Sequence, residues 1–137
     1  MTHVQVDGEI PAAPEAVWAL VGDFGGLVKA LGAPVEIEGA GIGTLRTIKV
    51  GSKVIVERLE ELDDQARRIT YSILQAGPLP VRDYRATMQL APSGDAATTL
   101  TWFSDFEPEG VSEDDAITAV RGIYEGGIAG LRRHFGG

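Results

Sequence analysis

The sequence predicts one α+β domain in which a curved antiparallel sheet of about seven strands wraps around a long C-terminal helix, with two short helices after the first strand. Three observations predict it. Six strand-like segments follow one another between residues 35 and 106 with short connections rich in Gly and Asp, a further strand precedes them at residues 3–10, and one amphipathic helical pattern closes the chain from Ser112 to about His134. Short links between consecutive strands require antiparallel neighbours, because parallel ones need long crossovers. A single long helix then has to cover the concave face of the twisted sheet, which makes a sandwich impossible.

The elements follow in order. Residues 3–10 alternate Val4, Val6 and Gly8 with polar Gln5, Asp7 and Glu9, and Pro11 ends the strand. Pro14 and Glu15 then mark a first helical turn, and Val17, Trp18, Leu20 and Val21 form its apolar face, with Trp18 assigned to packing. Asp23 is read as the N-cap of a second short helix, jointed at Gly25 and Gly26 and closed by Gly32 and Pro34. The glycines of residues 22–26 lack the Gly-Lys-Ser/Thr ending of a phosphate loop, so they read as a hinge. Strands are predicted at residues 35–38, 43–50, 53–62 and 67–75, with a hairpin turn at Gly51 and Ser52. Residues 76–81 contain Gly77, Pro78 and Pro80 and form a loop, after which residues 82–90 and 98–106 alternate around a turn at 92–95.

In the final helix Ser112 stands three residues before Asp115, close to a capping box, and Ile117, Val120, Tyr124, Ile128, Leu131 and Phe135 repeat at helical spacing. Its interior glycines Gly122, Gly126, Gly127 and Gly130 each cost about 1 kcal/mol against Ala. Close packing or a local bend would offset that cost; alternatively Gly122, Gly126 and Gly130, at i, i+4 and i+8, clear space for a neighbouring backbone or a ligand.

The 137 residues suit a single domain spanning 1–137, and a hydrophobic share of 44% supplies its core. A formal charge of −8 repels phosphate backbones, so nucleic acid is not an expected partner. Anionic membranes are disfavoured likewise, and no apolar run approaches the roughly 18 residues that span a bilayer. The absence of Cys rules out disulfides and thiolate chemistry and fits a reducing compartment. His3 and His134 stand far apart, which is a poor basis for zinc, and neither metal nor cofactor is expected. The start of the sequence lacks the pattern of a secretory signal, so the cytoplasm is the expected location. A homodimer is compatible with the sequence.

Strand parity selects the residues with chemistry to offer. Arg46 shares its face with Ile48 and Val50, and Glu57 shares its face with Ile55 and Leu59. If those faces point inward, two opposite charges enter the interior from neighbouring strands, where each needs a partner. They could act as an acid–base pair, the carboxyl group moving a proton while the guanidinium holds an oxyanion, or serve as a structural ion pair. Tyr71 lies with Ile69 and Ile73, and Tyr84 with Ala86 and Met88, so both hydroxyls either orient a ligand carbonyl or phenol or are satisfied within the core. Trp102, beside Leu100, Ser104 and Phe106, and on the helix Tyr124 and Val120, are candidates to line a ligand pocket or to pack. The acidic runs 60–64 and 113–115 read as solvated charges. Ser104 and Asp105 face opposite ways, which leaves a serine triad without support.

Taken in order, P-A-A-P-E-A-V-W-A-L-V-G-D-F, G-T-L-R, V-E-R-L-E-E-L-D, I-T-Y-S-I and Y-R-A-T resemble the START-like superfamily of polyketide cyclases and the birch pollen allergen, over essentially the whole chain. The resemblance implies the helix-grip fold and an internal cavity for a small, largely apolar or aromatic molecule. It also aligns Arg46 and Glu57 with residues implicated in catalysis in proteins resembling lachrymatory factor synthase, and places the loop 77–80 at the cavity opening. The activity implied is that of a cofactor-free cyclase, dehydratase or lyase, with a non-catalytic carrier or sensor of lipid or aromatic compounds as the alternative, since one scaffold serves both. A partner-binding module with an incidental cavity is the third reading.

Overall fold

The structure, a computed structural model, describes residues 1–136. The elements run β1 (Thr2–Ile10), α1 (Pro14–Val21), α2 (Gly26–Ala30), β2 (Val35–Glu38), β3 (Leu45–Val50), β4 (Lys53–Asp63), β5 (Arg68–Gln75), β6 (Val81–Pro92), β7 (Thr98–Pro108) and α3 (Glu113–His134). All strands join one antiparallel sheet of order β1-β7-β6-β5-β4-β3-β2. The last six strands are therefore a plain meander, and β1 adds itself to the far side of β7. No helix of the described residues is long and apolar enough to cross a membrane.

The sheet bends where its ladders slip. Register shifts fall in β4 against β5, at Val56/Glu57 and Leu59/Glu61, and in β6 against β7 between Arg82 and Arg85. Bulges of this kind increase local twist and curl the sheet toward the helix. Inside the bulge between Arg82 and Arg85, Asp83 takes φ 53°, the left-handed region, although it is not glycine. Sequence alternation carries no mark of these extra residues.

Helix α3 starts on Ser112, whose hydroxyl accepts from the Asp115 backbone N–H at 3.2 Å, and its charges suit the helix dipole, with Glu113, Asp114 and Asp115 first and Arg132, Arg133 and His134 last. Against β1 it approaches closely: a Cβ on Gly8 would lie 2.6 Å from Ile128 Cγ2, and Arg132 Nε donates to the Glu9 carbonyl at 2.8 Å. Buried Ala116, Val120, Tyr124, Ile128 and Leu131 form its inner stripe.

One local expectation shifts. Helix α2 begins at Gly26 with Gly25 at its N-cap, two residues beyond Asp23. Asp23 still serves the helix start, because its Oδ1 accepts from the N–H groups of Gly25 and Gly26 at 3.3 and 3.1 Å, forming a turn that precedes the helix instead of a cap within it. Trp18 packs against the core as expected and also donates Nε1–H to Asp64 Oδ1 at 2.9 Å, pinning α1 to the β4–β5 turn.

Candidate functional site

Arg46 and Glu57 are direct cross-strand partners in β3 and β4. Directly opposed residues point to one face, and here that face is the concave one. Arg46 Nε donates to Glu57 Oε1 at 2.6 Å, with the two side chains only 6% and 9% exposed. A second donor, Arg46 Nη1, reaches the Phe24 carbonyl at 2.7 Å. The guanidinium also lies over two rings, 4.0 Å from the Phe24 centroid and 4.9 Å from that of Tyr71. The cation is thus held by an anion, a carbonyl and two aromatic faces, which together offset its desolvation.

The pair stands in the wall of a pocket of about 540 Å³ between the sheet, α2 and α3. Of the residues singled out from sequence, Arg46, Glu57, Tyr71, Tyr84, Trp102 and Val120 all line it. Tyr124 does not. It lies fully buried behind Trp102, stacked on the indole with ring centroids 4.4 Å apart and planes 16° from parallel. Its hydroxyl is hydrogen-bonded to that of Tyr84, which lines the pocket. Leu31, Val50 and Ile123 form a half-exposed apolar rim, and Pro78 and Leu79 bring the loop after β5 to the pocket. That loop is shaped at Gly77, whose φ of 57° and whose missing Cβ, which would meet Val54 O at 2.7 Å, both exclude a side chain.

The hydroxyls make a second polar group. Trp102 Nε1 donates to the Tyr71 hydroxyl at 3.2 Å. Burial holds the pKa of Tyr71, Tyr84 and Tyr124 well above the ordinary tyrosine value, and the Glu57 charge adds to the effect at Tyr71 and Tyr124. All three are neutral donors across the physiological range. Among the described residues, no three His, Asp or Glu side chains are grouped to hold a metal ion.

Nothing in the sequence marks Phe24, whose glycine-rich surroundings read as a hinge. The joint between α1 and α2 also aims a carbonyl at Arg46, and no side-chain pattern announces a backbone acceptor. Leu27 and Val28 of α2 and Leu31 at its C-cap line the pocket as well. Their apolar spacing on a five-residue helix is too short to be read as a face.

Comparison with known proteins agrees with this architecture. A family model described as polyketide cyclase / dehydrase and lipid transport matches residues 1–136. Among solved structures, the protein XoxI from Bacillus cereus is 32% identical with a TM-score of 0.89, covering 98% of this chain and 96% of that one. An uncharacterised protein from Bacillus thuringiensis is 33% identical with a TM-score of 0.88, covering 97% and 98%. Norcoclaurine synthase from Thalictrum flavum, solved with dopamine and hydroxybenzaldehyde, has a TM-score of 0.75 at 16% identity over 96% of this chain and 84% of its own, a likeness of fold. No curated protein matches the chain.

Proposed function

The chain belongs to the polyketide cyclase / dehydrase and lipid transport family, and from that premise we propose that its pocket binds a small, largely apolar organic molecule on which Arg46 and Glu57 act by acid–base chemistry without a cofactor. The observation that carries this reading is a desolvated Arg–Glu pair set in the wall of a largely apolar pocket. Apolar packing would serve stability equally well at such a place, so a retained ion pair favours a role beyond the fold. Arg46 Nε occupies one oxygen of Glu57 and leaves the other without a protein donor among the described residues. In the proposed step that oxygen takes a proton from a carbon beside a carbonyl group. The electron pair moves onto the carbonyl oxygen, and the Arg46 guanidinium offsets the charge that develops there. Elimination of a neighbouring hydroxyl with the same proton completes a dehydration as water. The pairing of norcoclaurine synthase with two small aromatic molecules supports an aromatic occupant.

A carrier or sensor of a lipid or aromatic compound is the second reading. The bond from Arg46 to the Phe24 carbonyl favours it, since a cation tied to its scaffold is also a structural cation. Ring opening of 5-nitrobenzisoxazole separates the two, because a carboxylate base removes the ring C–H proton as the N–O bond breaks. The native protein is expected to open it about a hundredfold faster than Glu57→Gln. Equal rates, with the probe bound by both proteins, would leave only the carrier. Native mass spectrometry of protein purified from its own host would name the occupant's class.

A further inference from the structure

Three sides of the pocket are built from parts fixed to the rest of the fold. Strand β3 is hydrogen-bonded on both flanks, to β2 and to β4. Helix α3 is seated on β1, with Ile128 against Gly8 and Arg132 on the Glu9 carbonyl. The loop after β5, which the family resemblance sets at the opening, is tied down as well. Glu109 N–H donates to the Pro80 carbonyl at 2.9 Å, Leu79 N–H donates to the Ala76 carbonyl at 3.0 Å, and Gly77 lies against the Val54 carbonyl.

The remaining side is held differently. Residues 25–33, which comprise α2 and its two ends, contribute Leu27, Val28, Leu31 and Ala33 to the pocket wall. Among the described residues, every hydrogen bond made within this segment stays local: the N–H groups of Gly25 and Gly26 go to Asp23, and those of Leu27, Lys29, Leu31, Gly32 and Ala33 go to carbonyls of residues 23–29. Bonds to the sheet occur only outside it, from Arg46 to the Phe24 carbonyl on one side and from Lys49 N–H to the Pro34 carbonyl on the other. Leu27 is the one buried side chain of the segment. Glycines stand at both ends, Gly25 and Gly26 before the helix and Gly32, with φ 88°, after it. Lifting α2 therefore uncovers one buried side chain and breaks no hydrogen bond to the sheet or to α3, which is the profile of a segment that opens far below the cost of global unfolding. What holds its far end down is Leu31, packed so closely on α3 that a Cβ on Gly130 would lie 2.6 Å from Leu31 Cδ2.

We propose that α2 is the lid of the pocket, swinging on Gly25–Gly26 and Gly32 to admit and release the occupant, with Leu31 on Gly130 as its latch and the Phe24 carbonyl, held by Arg46, as its anchored pivot. The inference rests on the ligand-binding reading above and adds to it the route of entry, which it assigns to α2 in place of the loop 77–80. It also gives Gly130 a use that offsets its poor helix propensity, since a side chain there would displace the latch.

A removable cross-link tests the lid. The chain has no cysteine of its own, and Leu31 Cγ would lie 3.8 Å from a Cβ on Gly130, so the double variant Leu31→Cys with Gly130→Cys is placed to form a disulfide. The probe is N-phenyl-1-naphthylamine, whose fluorescence rises on leaving water, and its entry and release are followed by stopped flow. Oxidation is expected to slow both rates at least about tenfold while leaving the affinity within about twofold, because the bond removes the open state and not the closed pocket. Reduction should restore both rates. In the native protein, the amide hydrogens of residues 27–33 should exchange well before those of residues 120–131 in α3. Equal probe rates in the oxidised and reduced variant, cysteines that do not join under oxidant, or amides in α2 as slow as those in α3 each overturn the lid and leave the pocket reading standing. Failure of the native protein to bind the probe overturns the pocket reading and this inference together.

Discussion

At the scale of single residues, Arg46 and Glu57 depend on each other. Each charge is nearly sealed from water, so removing one strands the other in a medium that solvates it poorly. Arg46→Met is expected to cost about 3–5 kcal/mol. The double variant Arg46→Met with Glu57→Leu should recover most of that loss, because a well-packed apolar pair replaces a desolvated ionic one. Urea denaturation of the single and double variants measures this, and a double variant no more stable than Arg46→Met would show that the charges are not coupled. The pairing was legible in the sequence, since parity placed both charges on apolar strand faces and the connecting hairpin made the strands neighbours. The third partner was not, because the Phe24 carbonyl belongs to a backbone far away in the chain.

At the scale of elements, the glycines of α3 separate local propensity from packing. Helix propensity alone says that each Gly→Ala change stabilises by about 1 kcal/mol. At Gly122 a Cβ would meet nothing within 4 Å, so Gly122→Ala should show that gain. At Gly127 a Cβ would stand 2.7 Å from Trp102 Cζ3, in an indole already fixed by Tyr124 on one face and bonded to Tyr71. Gly127→Ala should therefore lower the melting temperature and alter tryptophan fluorescence. A melting temperature raised by both substitutions would refute this view of the helix. The spacing of Gly122, Gly126 and Gly130 suggested a shared cleared face. In the structure Gly126 and Gly130 do line the pocket, together with Gly127, whereas Gly122 meets open space; the tightest rigid contact falls on Gly127, outside that series. Helical periodicity tells which residues share a face, but only the docking angle on the sheet tells which of them meets a large side chain.

At the scale of the whole molecule, all three tyrosines of the chain are buried together, and their pKa values are raised by that burial. The unfolded chain ionises its tyrosines near the ordinary value of 10.0, while the folded one keeps them neutral. Their contribution to stability is therefore complete below that pH and is lost as pH rises above it, at about 4 kcal/mol per pH unit for three groups in step. Tyrosinate absorbance in an alkaline titration should appear together with the loss of far-ultraviolet dichroism, in one transition. Tyrosinate that forms while the fold persists would show that at least one hydroxyl is open to water. The sequence by itself determined the order of the elements, the antiparallel meander and the faces on which Arg46, Glu57, Tyr71 and Tyr84 lie, because alternation and turn residues are local properties of the chain. Only the tertiary structure decided that Tyr124 stands behind Trp102 instead of lining the pocket, that Phe24 supplies a carbonyl to Arg46, and that bulges curl the sheet around α3. Each of those depends on how segments distant in sequence pack, and packing is settled by the fit of whole surfaces, which no local pattern encodes.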